Sequence, residues 1–288
     1  MWRGRRAGGR NAGDPMPSDA GWRRPRSLRW AIAGAALGVV FALVVFAPAA
    51  WLADAVADAT RQRVLLADAR GTVWSGDAVA VLTGGPDSRD ASALPGRLRW
   101  TLGFAGTAIE LRTEHACCLN GTVVLRVKPG FGRVTTTLLP SPGWTAQWPS
   151  ALLNGLGTPF NTMQLGGTIR LSSPGLAVES VQGRVRFDGR ADIELLQAAS
   201  RLTTLDPLGS YRFTLTGNPA QAGGAAQLHL ATEEGALVLQ GDGVWEPAGG
   251  FRFRGEARAA SPDDAAKLSN LLNIIGRRQG ARSVISIG

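Results

Sequence analysis

The feature that most constrains this chain is an alternation of period two that returns again and again after residue 96. Segments 97–102, 108–113, 122–127, 133–138, 167–171, 183–187, 211–215, 226–230, 236–240 and 250–255 each alternate apolar residues with Arg, Thr, Gln or Gly. Residues 211–215, Tyr-Arg-Phe-Thr-Leu, show the pattern at its cleanest. Successive side chains of a strand point to opposite faces, so such a run buries one face and wets the other. Gly, Asn and Pro punctuate the runs about every dozen residues, as in a meander of antiparallel strands. A chain of 288 residues with 44% hydrophobic residues can bury a core, and its 38 glycines are scattered, which suits many tight turns. The fold expected is mainly β: a curved antiparallel sheet with a few short helices. Segments 97–140 and 211–255 both run as four strands, so residues 54–288 are expected to form either one β-rich domain or two lobes, about 54–160 and 161–288.

The N-terminal part reads differently. Residues 1–29 hold eight arginines against Asp14 and Asp19, and are expected to be disordered and cytoplasmic. Residues 30–53 carry no charge until Asp54, with Trp30 and Trp51 near the two ends. That run is long enough for one N-terminal transmembrane helix, about 35 Å at 1.5 Å per residue. The arginines before it put the N-terminus in the cytoplasm and the remainder on the far side. The run is longer than the apolar region of a cleaved signal, which is the rival reading. A short helix is expected to continue over 54–66, and a hairpin or bent strand over 72–82 turning around Gly76 and Asp77. Three further helices are expected: one over 149–156, one over 193–205, and one opened by Ser261 as N-cap with Pro262, Asp263 and Asp264 in its first turn, ending at Gly276.

The net charge of +9 resides mostly in the first 29 residues, so no basic stripe interleaved with aromatic residues follows and no nucleic-acid partner is expected. Chemistry is sparse. His115 and His229 are the two histidines, and Cys117 and Cys118 the two cysteines. Adjacent cysteines exclude a conventional disulfide framework; two thiols, a vicinal disulfide and an intermolecular bridge all remain open. A metal site would need more soft ligands than His115 supplies, and the carboxylate pairs Asp54/Asp58 and Asp263/Asp264 are explained by a solvated helix end and by capping. No cofactor, metal or catalytic constellation is expected, and the protein is read as no enzyme.

Three stretches resemble the protein N family of the type II (general) secretion pathway. The first is Gly71-Thr72-Val73-Trp74-Ser75-Gly76, about twenty residues past the apolar run. The second is Gly209-Ser210-Tyr211 leading into a strand. The third is the tail, with Gly243 and Trp245, then Gly255, then the last helix and a closing strand over 283–287. The resemblance implies a subunit of the inner membrane that works with other subunits of the machine exporting folded proteins across the outer membrane, with no catalytic residues. The chain is also similar to AsmA-like envelope proteins, which implies an apolar concave sheet face and, as the alternative function, a membrane-anchored lipid-binding or lipid-transport module.

Overall fold

The computed structural model describes residues 26–218, 224–246 and 250–288, so the basic segment before residue 26 lies outside the described residues. The chain divides into two units, one ending at Val45 and one comprising Phe46–Gly288. In the first, helix α1 runs over Arg26–Val45. Its large apolar side chains, among them Trp30, Ile32, Leu37 and Phe41, are exposed.

The helix stops earlier than the uncharged run does. Pro48 is extended, with φ −68° and ψ 148°, and a separate helix α2 follows it over Ala49–Ala59. Proline offers no N–H and disfavours helical backbone at the residue before it, so the expectation of one helix over 30–53 is corrected to two helices parted at Pro48. Among the described residues no helix is long and apolar enough to cross a membrane. The helix expected over 54–66 ends at Ala59, because Thr60 closes it: its hydroxyl donates to the Val56 carbonyl at 2.8 Å and accepts the Val64 N–H at 3.1 Å.

From Val64 onward the described residues form one open antiparallel sheet of sixteen strands. It starts with β1 (Val64–Gly71), β2 (Ser75–Thr83) and the short β3 (Ala91–Ala93) beside β2. A meander follows: β4 (Leu98–Ala105), β5 (Ala108–Glu114), β6 (Val123–Gly130) and β7 (Arg133–Leu138). The longest strands, β9 (Gly166–Val181) and β10 (Arg184–Ala199), come next. β7 pairs with one end of β9 and β8 (Ala146–Pro149) with the other. A second meander completes the sheet: β11 (Gly209–Gly217), β12 (Ala226–Gly235), β13 (Leu237–Glu246) and β14 (Gly250–Ala259). Beyond it lie β16 (Arg282–Ile287) and the three-residue β15 (Arg277–Gln279). Segments 97–140 and 211–255 are therefore four-strand meanders, and both belong to the same sheet.

Two of the expected short elements come out differently. Residues 193–205 are not helical: β10 continues to Ala199, where Ile193 and Leu195 face Phe213 and Tyr211 across the ladder. The spacing of Ala191, Ile193 and Leu195 is period two, and a bulge at Gln197, with φ +49°, shifts the later residues out of phase. The hairpin expected to turn at Gly76 turns instead at Thr72–Trp74, and Gly76 sits in β2 opposite Gly71. The 3-10 turn Ser150–Leu156 and the four-residue helix α3 (Phe160–Met163) bridge β8 and β9.

The last helix, α4 (Pro262–Ile275), matches its sequence signals. The Ser261 hydroxyl accepts the Asp264 N–H at 3.2 Å, and Pro262 occupies the first turn. Leu268, Leu271 and Leu272, at i, i+3 and i+4, are buried on one stripe. They join Tyr211, Leu230, Leu237, Phe253 and Ala257 in the larger of two hydrophobic clusters among the described residues. The smaller holds Ala49, Ala78 and Trp100 beneath α2.

Candidate functional site

The first signature stretch is a tight turn that ties three parts of the sheet unit together. Gly71 has φ +89°, and the Thr72 N–H and the Ser75 carbonyl close the loop at 2.9 Å. Thr72 also accepts the Ser75 N–H through its hydroxyl, at 3.1 Å. The Val73 N–H donates to the Ala47 carbonyl at 2.8 Å, and Pro48 bridges Thr72, so the chain just before α2 is stitched to the turn. On the other side the Trp100 indole N–H donates to the Val73 carbonyl at 3.1 Å, and the Leu102 N–H to the Trp74 carbonyl at 2.7 Å. A Cβ on Gly76 would collide with the Arg70 carbonyl and lie 2.6 Å from the Trp100 ring. Each conspicuous residue thus has a local job: Gly71 supplies a left-handed backbone, Thr72 and Ser75 close the turn, and Gly76 makes room for a buried indole. Trp74 is half-buried and packs against Phe104, ring centroids 5.9 Å apart.

The other signature residues meet on the apolar face of the second meander. Tyr211 is buried, and its hydroxyl donates to the Leu237 carbonyl at 3.0 Å. Burial raises its pKa well above the ordinary phenol value. Gly209 allows Gly235 to pass close by; a Cβ there would strike the Glu234 carbonyl. Gly243 and Gly255, with Gly241, form a hollow in which the Phe253 ring lies: Cβ atoms at these positions would come within about 3 Å of that ring. Trp245 continues the aromatic row, with Phe187 edge-on at 6.0 Å and Phe251 at 6.4 Å, and Phe251 stacks on Phe253 at 6.4 Å.

Between this face and α4 lies a cavity of about 410 Å³, lined by residues from β10 to β16, α4 and α3. Its walls include Leu195, Phe213, Leu228, Leu239, Phe251, Phe253, Ile275, Ile285 and Ile287. The two lining residues with side-chain hydroxyls are turned to the backbone: Tyr211 to Leu237, and Ser200 to the Met163 carbonyl at 2.7 Å. The cavity therefore offers contact to hydrocarbon and no free donor or acceptor from those side chains. The sequence marked Gly209, Tyr211, Gly243, Trp245 and Gly255 but not this cavity, because its walls come from strands apart in sequence. The one available signal was the unbroken set of apolar partners on alternate positions.

The opposite face is polar. Glu110 lies between Arg112, at 2.7 Å, and Arg126, at 3.0 Å, whose hydrogen bonds hold its carboxyl below the ordinary range. Glu194 pairs with Arg212 at 2.8 Å, and His229 points outward to meet Asp242 at 2.8 Å, as its alternation with Leu228 and Leu230 predicts. His115 differs: it is buried, burial lowers its pKa, and its Nδ1 lies 3.3 Å from the Cys117 sulfur. Cys117 and Cys118 are joined as a disulfide. His115, Cys117 and Cys118 can offer ligand atoms within 4.8 Å of one another.

A search of curated proteins and a search of solved structures returned no match. A family model described as type II secretion system (T2SS), protein N matches residues 62–285, from just before β1 to the middle of β16. The match takes in both meanders, the signature turn and the apolar face, and with it the chain belongs to the protein N family of the type II secretion system and is a component of that machinery, working with its other subunits.

Proposed function

We propose that the chain is a non-enzymatic subunit held in the bacterial inner membrane, with its N-terminus in the cytoplasm and its sheet in the periplasm. There it supports export of folded proteins across the outer membrane. The observation that carries this reading is the family match over 62–285 following an uncharged run at 30–53. The exposed apolar side chains of α1 from Trp30 to Val45 support it, since a helical stretch apolar on all sides calls for a non-aqueous surrounding. The open edges of the sheet and the signature turn are surfaces for other subunits by strand pairing or packing. The test is a deletion strain combined with co-purification and protease protection. Lost secretion, capture of pathway subunits and a sheet cleaved only from the periplasmic side are expected. Normal export with nothing captured would overturn the assignment.

A second reading, a lipid-binding or lipid-transport module, is favoured by one observation, the cavity walled by hydrocarbon. A peptide would carry backbone donors and acceptors into it unsatisfied, at about 1–3 kcal/mol each, whereas an acyl chain carries none. Native mass spectrometry of the detergent-released chain decides it. Bound phospholipid that is lost on Leu228→Gln substitution supports lipid binding, and an apo mass for the unaltered chain speaks against it.

A further inference from the structure

We propose that His115, Cys117 and Cys118 form a redox-gated site for a soft divalent cation, with Zn²⁺ as the probe: shut while the two sulfurs are bonded to each other, open once an external dithiol has reduced them. The idea rests on the loop after β5 and is independent of the secretion and lipid readings.

The loop is held on both sides. The N–H groups of Cys118 and Leu119 donate to the His115 carbonyl at 3.3 and 3.2 Å, so the three residues share one turn. The Cys118 carbonyl accepts the Gln147 N–H at 2.9 Å, and Asn120 donates its side-chain amide to the Pro142 and Trp144 carbonyls at 3.0 and 2.9 Å. His115 is 4% exposed. Its Nδ1 accepts the Cys117 N–H at 3.3 Å, which leaves the proton of a neutral ring on Nε2, and Nε2 has no hydrogen-bond partner among the described residues. A buried imidazole whose Nε2 has no partner among the described residues and whose Nδ1 lies 3.3 Å from the Cys117 sulfur is poorly explained as packing.

Bond lengths of about 2.3 Å to sulfur and 2.0 Å to nitrogen put the two ligand atoms of a tetrahedral zinc about 3.5 Å apart. The 3.3 Å between His115 Nδ1 and the Cys117 sulfur is already near that separation. Two thiolates and an imidazole are the donors that select zinc among common divalent ions, and three protein ligands leave one position open. His115 also lines a cleft of about 730 Å³ shared with Asp77, Arg97 and Glu114, and the Cys117 side is exposed, so an ion can reach the loop from solvent.

A thiolate of the external dithiol attacks the sulfur of Cys117, the exposed one, and the Cys117–Cys118 bond breaks with Cys118 leaving as thiolate. The second thiol of the reductant then displaces Cys117, so the reductant departs as a cyclic disulfide after giving up two electrons. The two protons given up by the dithiol pass to the departing cysteine thiolates and on to solvent as zinc–sulfur bonds form.

The experiment uses the full chain in detergent, reduced with dithiothreitol, desalted without oxygen and titrated with Zn²⁺ against a chromophoric chelator. One equivalent is expected to bind the reduced chain at least about a hundredfold more tightly than the oxidised chain. His115→Ala removes one of the three ligands and should weaken binding by at least about tenfold, no less than loss of an outer-shell partner costs. Cobalt loading should give a sulfur-to-metal charge-transfer band that Cys117→Ser weakens and Cys117→Ser/Cys118→Ser removes. Zinc uptake no greater than that of a Cys117→Ser/Cys118→Ser variant, equal uptake with and without reduction, or unchanged affinity in both His115→Ala and the milder His115→Asn would each overturn the proposal.

Discussion

At the scale of single residues, glycines carry much of the specification, and each for a local reason. Gly76 admits the Trp100 ring, whereas Gly103 on β4 has open space where a Cβ would stand. Gly76→Ala should therefore lower stability by about 1–3 kcal/mol, the usual cost of overpacking. Gly103→Ala should leave the urea midpoint nearly unchanged. Tyr211 gives a second readout because it is the only tyrosine in the chain. Its phenol pKa is raised by burial, so the unfolded chain releases that proton first and stability falls as pH climbs past about 10. Tyrosinate absorbance should appear together with loss of the β-sheet circular dichroism signal; a titration at about pH 10 with the fold intact would contradict this burial. These roles were partly readable in advance. The run Gly71-Thr72-Val73-Trp74-Ser75-Gly76 signals a turn, but the turn lies at Thr72–Trp74, ahead of the Gly76-Asp77 pair where local turn chemistry puts it. The contacts that fix it come from Ala47 and Trp100, which no local pattern encodes.

At the scale of elements, legibility followed how much of an element's reason is local. The strands at 97–102, 108–113 and 133–138 stand where alternation puts them, and α4 begins at its cap because Ser261, Pro262 and Asp264 act within one turn. The stretch 193–205 misled because three leucines at approximate helical spacing lie across a bulge, where a ladder to β9 and β11 outweighs intrinsic preference. The apolar run at 30–53 hid a proline that divides it into α1 and α2. α4 supplies the energetic test. Leu272 is fully buried under the sheet, and Leu272→Ala should cost about 2–5 kcal/mol by chemical denaturation. Leu272 packs in the cluster that walls the cavity, so the same variant should also weaken any hydrocarbon ligand detected by native mass spectrometry.

At the scale of the molecule, the two faces of the sheet have opposite chemistry, and acid should act on one of them. Asp68 is held below the ordinary carboxylate range by hydrogen bonds from Arg97 and Arg70, and Glu110 by those from Arg112 and Arg126. Asp192 is also lowered: burial pushes its carboxyl up, but Arg190 and Thr214 outweigh it. Folded-state values below unfolded ones stabilise the fold above the unfolded carboxylate range near pH 4, and that stability is lost as pH falls through the folded values. The urea midpoint should stay level from about pH 7 to 5 and drop below about 4, and Glu110→Gln should flatten the drop.

The signature turn and the hydrocarbon cavity lie toward opposite ends of this sheet, linked through the 16-residue strands β9 and β10. A hydrogen-bonded ladder resists sliding along its strands but tolerates a range of twist between neighbours. The turn stitched to Ala47 and the strands beneath α4 are thus joined by an unbroken succession of backbone ladders, each free to differ in twist from the next.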